Sequence, residues 1–188
     1  MAVAATGLTC PAVTPFQIRP RTDDDLPALA GLLERQQERT KYPFVWPFPA
    51  PVEHFLKRDT ELHAWVADVD GTVVGQVAIT SVTDDEDPIS RSWASAHGVP
   101  MSELRCISAF FADIDRAGSG IGSGLLATAT KVALAEGYPV LDVVAAHETP
   151  VQLYLRRGWQ IIETTDAPWH PGIKIPIHLM MLPRATDA

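Results

Sequence analysis

Gly118-Ser119-Gly120-Ile121-Gly122-Ser123-Gly124 places glycine at every second position. A helix-like run, Leu125-Leu126-Ala127-Thr128-Ala129, follows at once, and an extended apolar stretch, Leu104 to Ile114, precedes it. Glycine permits positive φ and the close approach of a ligand or a second backbone. Between a strand and a helix, such a turn gathers N–H groups where the helix dipole is positive. That arrangement suits a phosphate or pyrophosphate. The same glycines could also make a tight strand-to-helix turn that binds nothing.

Outward from this turn, the chain reads as one α/β domain. Toward the N-terminus, Phe16 to Arg19 alternates as a short strand. Thr22 with Asp25 resembles a capping box, and Leu26, Leu29, Leu32 and Leu33 follow at helical spacing. Tyr42 to Pro51 is dense in proline and aromatics and suits neither a helix nor a central strand. Val52 to Lys57 reads as a second short helix. Ala64 to Asp68 and Val73 to Ile79 read as strands joined by an Asp70-Gly71 turn. The stretch 82–103 is a long connection, with a short helix from Ile89 to Ala96 as one reading of it. After the turn, Ile121, Leu125, Ala129 and Val132 share a helical face that Gly137 ends. Val140 to Ala145 reads as a strand buried on both faces. Pro150 then opens a helix carrying Val151 and Tyr154. Trp159 to Glu163 and Ile173 to Leu182 are the last strands.

Bulk composition narrows the function. With 15 basic and 23 acidic residues the net charge is −8, so no basic field draws nucleic acid or an anionic membrane. No apolar run approaches a membrane span. Cys10 and Cys106 form no CxxC or zinc spacing, the histidines show no metal pattern, and no metal is expected. Cys106 in its apolar strand reads as a buried inert thiol. Cytoplasmic localisation is the default expectation. Residues 1–14 read as a flexible extension, and 15–184 as the domain.

Register separates the known phosphate turns. A Walker A loop needs Gly-Lys-Ser/Thr, but Lys131 lies far into the helix. The dinucleotide pattern GxGxxG fails because Ser123 or Leu125 stands at its last glycine. Ala117-Gly118-Ser119-Gly120-Ile121-Gly122 instead resembles the acyl-CoA turn of the GNAT superfamily of acyl-CoA-dependent N-acyltransferases, Arg/Gln-x-x-Gly-x-Gly/Ala. The glycines match. Ala117 departs at the Arg/Gln position, with Arg116 one residue earlier. Downstream, Tyr154-Leu155-Arg156-Arg157-Gly158-Trp159 resembles the family's Tyr-x-x-x-Gly-Phe, and His147 takes the family's Asn place.

The resemblance implies a mixed, mostly antiparallel twisted sheet of about seven strands flanked by about four helices, splayed between strands 4 and 5. It implies acetyl-CoA as co-substrate and an amine as acceptor. A small-molecule amine is the first expectation, a protein amino group the second, and a non-catalytic acyl-CoA sensor the alternative. A homodimer is left open. Tyr154 is the implied proton donor to the leaving sulfur. Phe111, Ala112 and Asp113 would line the pantetheine arm, and an N–H at or near Ala112 would meet the thioester oxygen. Residues Ala117, Gly118, Ser119, Gly120, Ile121, Gly122, Ser123 and His147 complete the expected cofactor site. For the base, Glu103 is taken first, Asp142 and Glu148 are the other acids near the strands, and water-mediated deprotonation by no single residue stays open. Tyr42, Trp46, Phe48 and Trp169 are the expected acceptor wall.

Overall fold

The computed structural model describes residues 15–84, 86–168 and 172–184. Trp169 and the extension expected over 1–14 lie outside these residues. Seven strands form a single sheet: β1 (Gln17–Pro20), β2 (Glu61–Val69), β3 (Thr72–Ser81), β4 (Leu104–Ala112), β5 (Tyr138–Val144), β6 (Gln160–Asp166) and β7 (Pro176–Met181). Their order is β1-β2-β3-β4-β5-β7-β6. Every neighbouring pair is antiparallel except β4–β5. The helices are α1 (Leu26–Thr40), α2 (Glu53–Leu56), α3 (Pro88–His97), α4 (Ile121–Glu136) and α5 (Glu148–Arg156).

Alternation of apolar residues along the strands gives both faces a core. On one face Leu125, Leu126, Ala129 and Ala133 of α4, with Val151 and Tyr154 of α5, pack on Val77, Ile79, Leu141 and Met180. On the other, Leu29, Leu32 and Leu33 of α1 and Leu56 of α2 pack on Val66, Val73 and Phe111. On that same face Ile89 and Trp93 of α3 cover Cys106, Val140, Ile177 and Leu179. The long connection over 82–103 therefore holds a core-forming helix, α3. Asp87 caps it, its side chain accepting from the N–H groups of Ile89 and Ser90, and Gly98 ends it at φ 68°. The expected capping box is also present: the Thr22 N–H donates to Asp25 Oδ2 at 2.8 Å.

Two irregularities position the site. First, β4 and β5 pair only at Leu104–Tyr138, Arg105–Pro139 and Cys106–Val140. Beyond Val140, β5 stays with β7 to Val144, while β4 stays with β3 to Ala112. The sheet therefore opens between two strands that run side by side in the same direction. Second, β4 carries a bulge: between Gln76–Phe111 and Ala78–Ser108, three steps of β4 oppose two of β3. Ala109 takes φ 44° there, a left-handed conformation costing a non-glycine residue roughly 1 kcal/mol. The bulge bends β4 away just where β5 departs.

Candidate active site

The glycine turn follows the C-terminal end of β4. Gly118 and Gly120 take φ 82° and 86°, conformations that β-carbon-bearing residues avoid. A β-carbon on Gly118 would meet nothing within 4 Å, so the turn is open on that side. Gly124 serves packing instead: a β-carbon there would stand 3.0 Å from Ile18 and 3.1 Å from Phe16. The first backbone bond of α4 runs from the Gly124 N–H to the Gly120 carbonyl at 2.9 Å. The N–H groups of Ile121, Gly122 and Ser123 precede it and have no helical acceptor. With the positive end of a sixteen-residue helix behind them, they make a concave set of donors of the kind that suits an anion.

Ser119 is turned inward, its hydroxyl donating to the Arg116 carbonyl at 2.6 Å. Arg116 leans back toward Asp113, with Nε 3.9 Å from Oδ2. It does not fill the place left open by Ala117.

Backbone polarity along β4 follows from its register. The Asp113 N–H donates to the Val74 carbonyl at 2.8 Å, and Gly75 faces Ala112. Successive residues point their N–H groups to opposite edges of a strand. The Asp113 N–H is thus used by β3, whereas Ala112 turns its N–H toward the gap vacated by β5. Phe111 points its ring into the α1–α2 core and is 6 % exposed.

Tyr154 enters the gap from the α4–α5 face. Its ring packs 6.1 Å from Phe110 and 5.9 Å from Trp159. The side chain is buried, yet the hydroxyl neither makes a hydrogen bond among the described residues nor is sealed away as an unpaired buried group. Burial raises its pKa well above the ordinary tyrosine value, and Tyr42, Asp142 and Cys106 raise it further. The hydroxyl stays protonated through neutral pH. Leu155, next to it on α5, is exposed. His147 occupies the N-cap of α5 without a side-chain capping bond, and burial lowers its pKa.

From the opposite face comes Asp142. Its neighbours Leu141 and Val143 belong to the α4–α5 core, so its side chain shares the other face with Val140. The strand was expected to be buried on both faces, but Asp142 is exposed, at a position past the last β4–β5 pair. It stands deep among protein atoms that open to solvent through the gap. That surrounding raises its pKa, and Arg58 partly opposes the rise. Burial also pushes the Cys106 thiol up to about 12, in keeping with an inert thiol.

Tyr42 lies on the Asp142 side, 6.1 Å from Phe111 and edge-on to Phe55 at 5.5 Å. Phe48 meets Phe55 at 5.6 Å. Trp46 is half-buried and joins no aromatic pair among the described residues. Glu103 is not brought to this cluster. It is exposed in the turn before β4 begins, seven residues from Phe110 and so roughly 20 Å along the strand. The residues that sequence reasoning missed are Phe55 and Arg58. A shallow hollow between α3 and β6 lies elsewhere, and its Glu163 is already bonded by Ser92 at 2.6 Å. Among the described residues no cluster of His, Cys, Asp or Glu could hold a metal ion.

The acetyltransferase (GNAT) family model matches residues 31–159, more than half of the chain and inclusive of both motifs. The chain belongs to the acetyltransferase (GNAT) family. No curated protein matches the sequence. Solved GNAT-fold structures do. An N-acetyltransferase from Staphylococcus aureus Mu50 is 19% identical, covering 89% of this chain and 98% of its own, with a TM-score of 0.67. The ribosomal-protein-S18-alanine N-acetyltransferase from Escherichia coli is 16% identical, covering 92% and 97%, with a TM-score of 0.64. Arabidopsis thaliana NAA60, solved with a bisubstrate analogue, is 18% identical, covering 89% and 97%, with a TM-score of 0.67. At these identities the likeness is one of fold. In this GNAT chain the glycine cradle and Tyr154 lie on one side of the splay, and Asp142 with the aromatic wall on the other.

Proposed function

We propose that this acyltransferase moves the acetyl group of acetyl-CoA to the primary amine of a small molecule. The observation that carries the reading is the gap between β4 and β5, entered from one face by Tyr154 and from the other by Asp142. Acetyl-CoA would supply an activated acetyl thioester. Its pyrophosphate would rest on the N–H groups of Ile121, Gly122 and Ser123, with Gly118 giving room. The Ala112 N–H would meet the carbonyl oxygen, where negative charge develops.

An amine with a pKa near 10 is an ammonium at neutral pH and must lose a proton before it attacks. We assign that step to Asp142 rather than Glu103, because Asp142 faces the gap and its raised pKa makes it the better base. As the C–N bond forms and the C–S bond breaks, the Tyr154 hydroxyl protonates the departing sulfur. The proton remaining in excess on nitrogen replaces it, and the one on Asp142 leaves to solvent. The aromatic wall of Tyr42, Phe48 and Phe55 supports a small, partly apolar acceptor over a protein amino group. We place the protein in the cytoplasm, a setting consistent with its reduced Cys106.

Thiol release from acetyl-CoA against amines, amino acids and peptides tests the reading. Release that depends on a small amine supports it. Release only with peptides would move the acceptor to the protein class.

A further inference from the structure

Arg58 has no role in the chemistry above, yet it stands at the acceptor side of the gap. Other cations of this region have acidic partners: Arg19 has Asp25 and Asp68, Arg21 has Glu61, and Lys57 has Asp23. Arg58 is exposed just beyond α2; its carbonyl accepts from the Glu61 N–H at 3.0 Å, while its guanidinium makes no hydrogen bond or ion pair among the described residues. Its guanidinium carbon lies 5.5 Å from the centre of the Phe55 ring. Phe55 meets Tyr42, and Tyr42 meets Phe111 on β4. A chain of ring contacts therefore links the guanidinium to β4 beside the gap. Asp142 stands in that gap. The positive field of Arg58 reaches Asp142, Tyr42 and Cys106 alike, so the charge bears on the interior rather than on bulk solvent alone.

One acceptor side thus offers an anion at its base, a cation at its mouth and aromatic rings between. A planar guanidinium fork matches a carboxylate in two parallel hydrogen bonds. Resting on the acetyl-transfer reading, we propose that the acceptor is a small amino-carboxylate, such as a free amino acid. Its amine faces Asp142, its carboxylate pairs with Arg58, and its apolar part lies on Tyr42 and Phe55. Asp59 follows Arg58 in sequence and makes no ion pair with it among the described residues, which leaves the guanidinium available.

The test is steady-state thiol release with four matched acceptors: phenylalanine, phenylalaninamide, phenethylamine and a phenylalanine-led tripeptide. In the wild type the free acid should exceed the amide in kcat/KM by about 10- to 100-fold, chiefly through KM, the range expected of a charge-assisted pair. Arg58→Ala should bring that ratio close to one, and Arg58→Lys should restore part of it. Melting curves of both variants verify folding. Equal use of acid, amide and amine, or a preference that survives Arg58→Ala, overturns this inference and leaves acetyl transfer standing. Preference for the tripeptide also overturns it. Absence of thiol release with every acceptor overturns both readings.

Discussion

Tyr154 carries the sharpest residue-scale expectation. Its hydroxyl makes no hydrogen bond among the described residues, while its ring is fixed between Phe110 and Trp159. Removal of the hydroxyl alone should leave the packing intact. Tyr154→Phe should lower kcat by about 10²- to 10⁴-fold, the usual worth of a positioned acid, with little change in melting temperature or acetyl-CoA affinity. Kinetics and a melting curve on one preparation separate this from a core role, which would show lowered stability and near-normal kcat.

Asp142 gives two linked expectations at the same scale. Its pKa is raised in the fold, so the folded state favours the protonated form. The stability this contributes is present below the unfolded pKa of about 3.9 and is lost as pH rises through the folded value. At neutral pH the carboxylate is therefore a burden, and Asp142→Asn should melt higher than the wild type. The gap should close as pH falls toward the unfolded value. The same variant should lose the acidic limb of the kcat/KM profile, which reports deprotonation of the base. A variant that melts lower at neutral pH would contradict the environment assigned to Asp142.

At the scale of elements, the strand–turn–helix around the glycines was readable from residues because its requirements are local. Positive φ at Gly118 and Gly120 and close packing at Gly124 each demand glycine. Gly137 shows the same logic at the other end of α4. A β-carbon there would overlap the Glu103 carbonyl oxygen, where β5 begins beside β4. Backbone cannot yield as a side chain can, so Gly137→Ala should cost about 1–3 kcal/mol or more, measured by urea unfolding.

Less of the acceptor side was legible. Phe55 and Arg58 lie on and beside a four-residue helix, with no periodicity to mark them. Their place depends on how the segment folds across α1 and β4. Asp142 was visible as an acid in an apolar run. Its exposure was not, since it depends on which helices and loops cover that face of β5. Glu103 precedes the right strand but at its wrong end, a distinction that requires the direction of the splay.

Over the whole molecule, the register of β4–β5 sets the splay on which the proposed function rests. Three paired positions hold the two strands at one end, and the bulge at Ala109 turns β4 away at the other. Far from this gap, the fold is closed by charge. Arg19, hydrogen-bonded to Asp25 at 2.8 Å, holds that carboxyl down to about 2. This contribution is present above the unfolded carboxylate value and is lost as pH falls through the folded one. Stability should therefore drop between about pH 4 and pH 2, and Asp25→Asn should flatten that part of the profile. With a net charge of −8, an anion on the glycine turn would be held against the global field, so the proposed acetyl-CoA affinity should rest on local dipoles. Modest salt should leave acetyl-CoA binding nearly unchanged.

The most direct measurement of the central claim is thiol release from acetyl-CoA by the wild type, Tyr154→Phe and Asp142→Asn with one small amine acceptor. An amine-dependent rate in the wild type that falls at least about tenfold in each variant, with all three proteins folded and binding acetyl-CoA, is the predicted result. A wild-type rate that both variants retain would contradict the assignment of the splayed gap as the site of acetyl transfer.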